Sequence, residues 1–423
     1  LVRKITLDSI DKEFNEAALT YVDRLQQPNN WLNLQLYYAF SKNGKKQIGE
    51  APAILDSNLV EYSRSQIEKF LQNKGYLKAK VRSDIAVKDK KATLTFTASQ
   101  GPMFRIRSIS DSIGDVNVRE LYRVNRRRFS RVQPGGRFDT DSVAYDRDEF
   151  YQIMKRNGYF DFYRQYVNYN YDSTFNSSVV DIRTIIDNPV DKAAHPTYKI
   201  NNTTIVIATS SGRTTGKADT LKVDSQFTFI DYSRRFKPKG ITRYVFQHKG
   251  ELYNIDQQTL TTSRLSELNV FRNVPNPTYT KLPDSINRRL DSRIDMVPLK
   301  RQSDRVEAEF LFNSGRYGYN LGNTYTNRNL FKQAEILQIK LNWSVLFDNS
   351  RSGANEGSIE NQDFRIGANL IYPRIIAPFD LPTLGKYGVP HTTFSSNFQI
   401  YYQKGLVSRR SFINSLTYDW IET

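Results

Sequence analysis

The sequence contains no cysteine. That excludes disulfides, thiolate metal sites and cysteine nucleophiles. It fits an exported chain that stands without disulfides, although a cytosolic chain can also lack cysteine. Histidine is nearly absent. His195, His248 and His391 are the full set of three, and they lie far apart without the paired spacing of a metal site. No run of about 18 apolar residues occurs, so no transmembrane helix is expected. Membrane-crossing strands are not excluded, because they interleave polar residues and barely register in hydropathy. No Gly-rich phosphate loop, G-x-S-x-G or H-E-x-x-H is present. The acidic pairs Asp139 with Asp141 and Asp146 with Asp148 are read as helix-start residues, where capping accounts for them. No catalysis, metal or cofactor is expected.

What is abundant is aromatic and basic. Hydrophobic residues are 39% of the 423, near the low edge for a globular protein, yet aromatics reach 13%, with 26 Tyr and 25 Phe. Flat rings favour pleated surfaces and membrane interfaces, where a Tyr hydroxyl stays wet. The formal charge is +17. Arg123, Arg126, Arg127, Arg128 and Arg131 form one cluster, and Arg234, Arg235, Lys237 and Lys239 another. The first reading is a solvated face that keeps the chain soluble; the alternative is that the loops around Arg126 to Arg131 and Arg234 to Lys239 face anionic headgroups or an acidic partner. No zinc finger, RRM signature or helix-turn-helix spacing points to nucleic acid. The chain opens within a strand-like pattern, "LVRKITLDSI", and stops within another, "SLTYDWIET". Both ends read as cuts in a longer precursor.

Three units repeat along the chain, expected over 1–101, 102–190 and 196–305. Each opens with a strand ("LVRKITLD", "MFRIRSIS", "TYKINNTTIVI") and continues through two helices into two more strands. Ile67, Phe70 and Leu71 mark the helical face of the first unit. Val143, Phe150, Ile153 and Met154 mark the second, and Leu260, Leu265 and Leu268 the third. Asp139 or Asp141 can cap the helix of the second unit. The helix then ends at Gly75, Gly158 or Asn269, residue types that accept left-handed backbone. "Helix, Gly, Tyr, strand" is thus a structural corner written once per domain. One sheet covered by two helices makes a stable α+β unit.

After Arg305 the period becomes two. In "ILQIKLNWSVLF" Leu337, Ile339, Leu341, Trp343, Val345 and Phe347 alternate with polar residues, and "DFRIGANLIYP" behaves alike. These segments reach the length of about ten residues that a tilted strand needs to cross a bilayer. A large soluble sheet also alternates, but seldom at this length with Lys and Arg threaded through it. Five strands are visible in 306–423, starting near Arg316. A closed barrel needs about eight, so the barrel is incomplete in this chain. Counted this way, "NSRSGANEGSIENQ" falls on the periplasmic side, where turns are normally short. An insertion, or a strand count off by one, would account for that.

Together these residues resemble the BamA/TamA superfamily of outer-membrane assembly proteins. "GYLKAKV", "GYFDFYRQY" and "LSELNVFRNV" are similar to the corners of its POTRA domains. "YGYNLGNTYTNRNLF" is similar to the first barrel strand and loop, where Gly-Asn and Asn-Leu-Phe recur. The opening "SIDKEFNEAALTYVDRLQQPN" and the basic character look most like the TamL lipoprotein branch. That branch carries an acylated cysteine, which this sequence lacks. The resemblance implies POTRA repeats (β-α-α-β-β) in the periplasm, followed by antiparallel transmembrane β-barrel strands. It implies insertion of client outer-membrane proteins, a TamB-like bridge protein as partner, contact with outer-membrane lipid, and no cofactor.

The mechanism this suggests has two parts. Sheet edges of the POTRA domains accept extended clients by strand addition. The first barrel strand then forms a lateral seam. Gly315, Tyr317, Gly318, Tyr319, Gly322 and Asn323 are the residues expected there, with the glycines weakening packing; a bend in a curved wall is the other reading of those glycines. A polypeptide-secretion channel of the same superfamily remains open, though such channels typically carry two POTRA domains and three are counted here. A soluble polysaccharide- or peptidoglycan-binding array is the third possibility.

Overall fold

The computed structural model describes all residues except 42–47, 175–176, 284–287, 314–315, 349–358, 378–387 and 422–423. The chain forms two compact units. One comprises residues 1–154 with 161–195, the other residues 155–160 with 196–423.

In the first unit, β1 (Val2–Asp8) leads to helices α1 (Lys12–Leu19), α2 (Trp31–Phe40) and α3 (Ser57–Asn73), then to strands β2 (Lys80–Lys88) and β3 (Lys91–Ser99). The sheet order is β1-β3-β2, with β1 parallel and β2 antiparallel to the central strand. Ile67, Phe70 and Leu71 of α3 meet Leu94 and Phe96 of β3 in the core. The second domain repeats the scheme with β4 (Arg105–Ile113), α4 (Val116–Phe129), α5 (Thr140–Arg156), β5 (Val167–Asp172) and β6 (Val179–Ile186), ordered β4-β6-β5. Helix starts follow the capping logic. Asp56, Asp115 and Asp139 each accept a backbone N–H from the first turn of α3, α4 and α5, a contact worth about 1 kcal/mol.

Asp146 and Asp148 are not at a helix start; they lie inside α5. The Asp146 carboxylate is buried and accepts from Ser130 Oγ and, at 2.8 Å, from the Arg131 amide. Burial raises its pKa against the pull of those hydrogen bonds. Asp148 pairs with Arg164. Asp146 thus ties the α4–α5 connection to α5, whereas the Asp148 pair is exposed on the surface.

In the second unit, β7 (Lys199–Ile207) is followed by β8 (Asp219–Val223), β9 (Phe227–Asp231), α6 (Pro238–Thr242), α7 (Ile255–Glu267), β10 (Phe271–Asn273), β11 (Thr278–Lys281) and β12 (Arg289–Pro298). The central order is β10-β12-β7-β9-β8, and β11 also pairs with β12. The β7–β12–β11 part matches the other two domains. The β8–β9 hairpin is an insertion that strand counting missed. Its strands are five residues each and charged at their ends, too short to declare a period of two. It covers the outer side of β7, which is the edge left by β1 and β4 in the other domains.

A second sheet then runs in strict chain order. Its strands are β13 (Gln302–Asn313), β14 (Arg316–Arg328), β15 (Ile336–Phe347), β16 (Ile359–Tyr372), β17 (His391–Gln403) and β18 (Val407–Asp419), all antiparallel. The described chain therefore consists of POTRA-like α+β domains followed by an antiparallel meander resembling part of a barrel. No described helix is long and apolar enough to cross a membrane.

The strand count from Arg316 was one short. Strand β13 precedes it, beginning at Gln302. Its outward positions start Gln302, Asp304 before reaching Val306, Ala308, Phe310 and Phe312, so alternation is hidden for its first third. The extra strand reverses the polarity of everything after it. Strand β14 returns to the third domain, and β15 ends and β16 begins at the far end of the sheet. The connection expected as a periplasmic turn follows Phe347; its residues 349–358 lie outside the described ones.

Candidate functional site: the two-faced sheet and its junction with the third domain

The register sorts the sheet into two chemically distinct faces. Phe310 stands opposite Tyr319, Leu321 opposite Trp343, Leu341 opposite Ile366, and Ile366 opposite Phe398. Because side chains alternate, this places one aromatic and aliphatic band across all six described strands. Phe310, Leu321, Leu341, Ile366, Phe394 and Phe412 are exposed within it. A monomeric soluble surface rarely shows a contiguous apolar patch beyond a few hundred Å². The opposite face is polar and cross-linked. Asn320 donates to Glu309 (2.9 Å), Asn342 donates to Asn320 (2.9 Å), and Gln399 donates to Asp363 (2.9 Å).

The expected seam residues do not form an edge. Tyr317, Gly318, Tyr319, Gly322 and Asn323 lie on β14, which is hydrogen-bonded to β13 on one side and β15 on the other. Gly315 lies outside the described residues. Gly318 works in the opposite sense from a weak point. A Cβ there would sit 2.3 Å from the Val345 carbonyl oxygen, so the glycine lets β14 and β15 approach closely. Among the described strands of this sheet, β13 and β18 are the edges.

The third domain docks on the β14–β15 turn. Asn329, Lys332 and Ala334 of this turn all have positive φ, an arrangement that costs energy and needs support. Glu335, 1% exposed, supplies it by accepting from the Phe331 and Gln333 amides. Asn329 bridges the two elements, donating to the Arg235 carbonyl and accepting from the Ala334 amide. Gly240 of α6 lies so close to Gln333 that a Cβ would come within 2.7 Å of its Cα. Tyr244 donates to the Pro373 carbonyl, and Glu267 accepts from the Val389 amide. Ala334 and Val389 are counted in the core of the third domain. The Asn-Leu-Phe stretch at 329–331, singled out in the sequence as a family figure, thus acquires a physical role through Asn329. Asn329→Ala should cost about 2 kcal/mol at this junction through lost buried hydrogen bonds. It should appear as faster hydrogen exchange at 329–335 and in α6, with β16–β17 unchanged.

A cavity of about 510 Å³ opens beside this junction. Leu268 and Asn269 line it from the third domain; Thr326, Gln338, Thr393 and His391 line it from the polar face of the sheet. The end of α7 therefore lies against the polar face.

The corner residues adopt the backbone expected of their types, with φ of +95° at Gly75, +91° at Gly158 and 55° at Asn269. The Tyr beside the first of them is also structural. Tyr76 is buried and donates to Asp11, and burial followed by Asp11 raises its pKa to about 12.

The basic clusters divide. Arg126, Arg127 and Arg128 are not in a loop; they form the last turn of α4, where cations suit the helix dipole. Arg127 and Arg128 are exposed, and among the described residues none of the three forms an ion pair. Arg234 is exposed, with Asp219 at 3.7 Å. Arg235 is half-buried at the junction; its Nη1 faces the Leu299 carbonyl. Burial, with Arg301 nearby, lowers its pKa. It is a junction residue and not a surface contact for anions.

The histidines do not gather: His391 lines the junction cavity, and His195 and His248 lie elsewhere. His195 is buried, its amide donating to Asp115 at 2.7 Å, and burial lowers its pKa. Among the described residues, no three His, Cys, Asp or Glu side chains gather as metal ligands would.

Residues 5–101 match the POTRA family model, described as a surface antigen variable number repeat. No curated protein matches the chain. Among solved structures, the chain is similar to POTRA domains 3–5 of BamA from Haemophilus influenzae, at 15% identity and a TM-score of 0.37, covering 70% of this chain and 95% of that one. It is also similar to BamA from Haemophilus ducreyi lacking POTRA domains 1–3, at 11% identity and a TM-score of 0.40, covering 74% and 58%. CdiB from Acinetobacter baumannii matches at 14% identity and a TM-score of 0.33, covering 76% and 49%. The chain thus spans little more than half of the H. ducreyi protein and about half of CdiB. Likeness at these levels carries no argument about activity.

Proposed function

We propose that this chain is the periplasmic and early-barrel portion of an outer-membrane protein assembly factor of the BamA/TamA superfamily. One observation carries the reading. Six successive strands of 12 to 14 residues present an uncovered apolar face on one side and a hydrogen-bonded polar face on the other. Lipid is the solvent that makes such an apolar face inexpensive, and the polar face then lines a wet interior. Open sheet edges are not tolerated in hydrocarbon, so β13 and β18 pair with further strands in the assembled barrel. The POTRA-like domains stand in the periplasm and pass client outer-membrane proteins to the barrel, with β13 as the strand at the lateral opening. No covalent step and no cofactor is involved. The TamL-type branch, with a lipid anchor and a TamB-like bridge protein as partner, is the finer form of this proposal.

Extraction of the parent protein from cell envelopes tests it. Solubility only in detergent, with a gel-mobility shift on boiling, is the expected result. A protein that washes off in salt and shows no shift removes the membrane reading. Three POTRA-like domains favour assembly over a secretion channel with two.

The exposed arginines of α4 belong to the same proposal as contacts for anionic headgroups. Each basic residue near such a surface is worth about 1 kcal/mol. Arg127→Glu with Arg128→Glu should therefore weaken association with phosphatidylglycerol vesicles at low salt by at least about tenfold. Unchanged binding would leave these arginines as a solvated helix end.

A further inference from the structure

One helix of the first domain has no place in the strand, two helices, two strands scheme. Helix α2 lies between α1 and α3, reads WLNLQLYYAF over its ten residues, and carries no charge. None of its side chains is buried. Trp31 is 73% exposed and Phe40 60%, on opposite sides of the helix, and Leu32 and Tyr38 are exposed as well. At 3.6 residues per turn, these four residues spread over roughly 200° of the circumference. Leu25 and Ile54 are exposed at the base of the same insertion, where the Gln26 side chain donates to the Ile54 carbonyl at 2.8 Å.

This apolar helix is firmly held. Asn30 caps it, accepting from the Leu32 amide at 3.0 Å. Asn29 donates to the Ala51 carbonyl at 2.8 Å and accepts from the Ala53 amide at 2.7 Å. The Asn33 side chain donates to Glu50 at 3.2 Å, and the Asn33 carbonyl accepts from the Glu50 amide at 3.2 Å. Gly49 has a φ of +86°, and a Cβ there would collide with the Asn33 carbonyl and lie 2.7 Å from the Tyr37 amide nitrogen. The returning chain therefore runs directly against the α2 backbone on its Asn33 and Tyr37 side. Polar clamps fix that side, and the large apolar side chains are left facing out.

Two features identify what covers them. A protein groove takes one apolar stripe of a helix, at i, i+3, i+4 and i+7. A helix that is apolar around more than half its circumference is one that its surroundings enclose. Ten residues rise only about 15 Å, half of the roughly 30 Å needed to cross hydrocarbon, so α2 cannot span. Trp and Tyr are the side chains that rest at headgroup level, with the ring in apolar surroundings and the polar atom wet. We infer that α2 is a lipid-contacting element of the first domain. It lies along the boundary of headgroups and acyl chains of a phospholipid membrane, with Trp31, Leu32, Tyr38 and Phe40 in lipid and the Asn33–Glu50 clamp toward the domain. This goes beyond the proposed function, in which only the strands and the α4 arginines meet lipid. Because α2 has no charge, its contact is insensitive to salt, unlike that of the arginines.

The test uses the parent protein in phosphatidylcholine vesicles containing a phospholipid with a diazirine on its acyl chain. After irradiation, the labelled tryptic peptides are mapped by mass spectrometry. Arg24 and Lys42 bracket a stretch without Lys or Arg, so Leu25–Lys42 is released as one peptide that holds all of α2. That peptide should carry label, in low and in high salt alike. Trp31→Glu with Leu32→Glu should lower its labelling at least tenfold. Both positions are exposed and in the first turn of α2, where acidic residues suit the helix dipole, so circular dichroism should be unchanged. In cell envelopes, a photoreactive Tyr38→p-benzoylphenylalanine variant should capture lipid, which keeps the test independent of the glutamate variant. An unlabelled Leu25–Lys42 peptide, label lost in high salt, label unchanged in the folded glutamate variant, or capture of a protein (a second copy included) at position 38 overturns the inference. Heat-modifiability is read on the same preparation. A mobility shift and labelled strands with an unlabelled α2 peptide sink only this inference, whereas a labelled α2 peptide with unlabelled strands and no shift sinks the barrel reading and leaves α2 as a lipid contact.

Discussion

Gly75→Ala should destabilise the first unit by about 2–5 kcal/mol. Two costs combine. The backbone at Gly75 has a φ of +95°, where an L side chain costs about 1–2 kcal/mol. The added Cβ would also lie 2.4 Å from the Phe138 carbonyl oxygen, and such overpacking costs about 1–3 kcal/mol. The carbonyl belongs to a backbone tied at both ends. Phe138 donates to the Phe104 carbonyl, and neighbouring Asp139 pairs with Lys74. It cannot step aside as a side chain would. Hydrogen exchange on the full chain should show lost protection in α3 and β2, and unchanged protection there would refute the argument. Gly158→Ala is the informative comparison. Its φ is nearly the same, +91°, but the closest atom to a Cβ is the Leu252 Cδ2 at 3.0 Å. A flexible side chain can move, so the expected cost is only the backbone term of about 1–2 kcal/mol.

The second large effect separates the two faces of the barrel-like sheet. Leu341 and Ser344 are three residues apart on β15, and alternation places them on opposite faces. Leu341 stands opposite Asn323 and Ile366 in the apolar band; Ser344 stands opposite Asn320 and Asp363. Leu341→Arg should cost about 2–4 kcal/mol if that band meets the bilayer midplane. The heat-modifiable form should fall in outer-membrane preparations. Ser344→Arg, which adds the same side chain to the polar face, should leave that form near its normal level. If both variants behaved alike, the assignment of faces to lipid and lumen would fail.

The sequence was informative wherever a period ran long enough. Helix faces such as Ile67, Phe70 and Leu71 are legible because burial on one side imposes a 3.6-residue repeat over several turns. The corners are legible because few residue types tolerate left-handed backbone, and Asn269 could be recognised in a glycine's place for that reason. The segments from Ile336 onward are legible because two-faced strands alternate whatever their neighbours are. Where the period was short or interrupted, the reading failed. The β8–β9 hairpin offered five residues per strand, and β13 began with Gln302 and Asp304 on what becomes its apolar face.

That second omission propagated. Missing β13 made β14 look like an edge and its glycines look like a seam. Pairing partners are non-local, and one strand's own pattern is the same at an edge and in the middle of a sheet. Similarly, Arg235 and Arg127 look alike in sequence. Only the fold turns one toward Leu299 and Arg301 and leaves the other on an exposed helix end.

By itself, then, the amino-acid order determined the kinds of elements, the repeat of the α+β unit and the two-faced character of the strands, because each depends on residues close together in the chain. Tertiary structure alone decided which strands are edges, which glycines are tight contacts, and which cations are buried, because each depends on what a distant segment brings alongside.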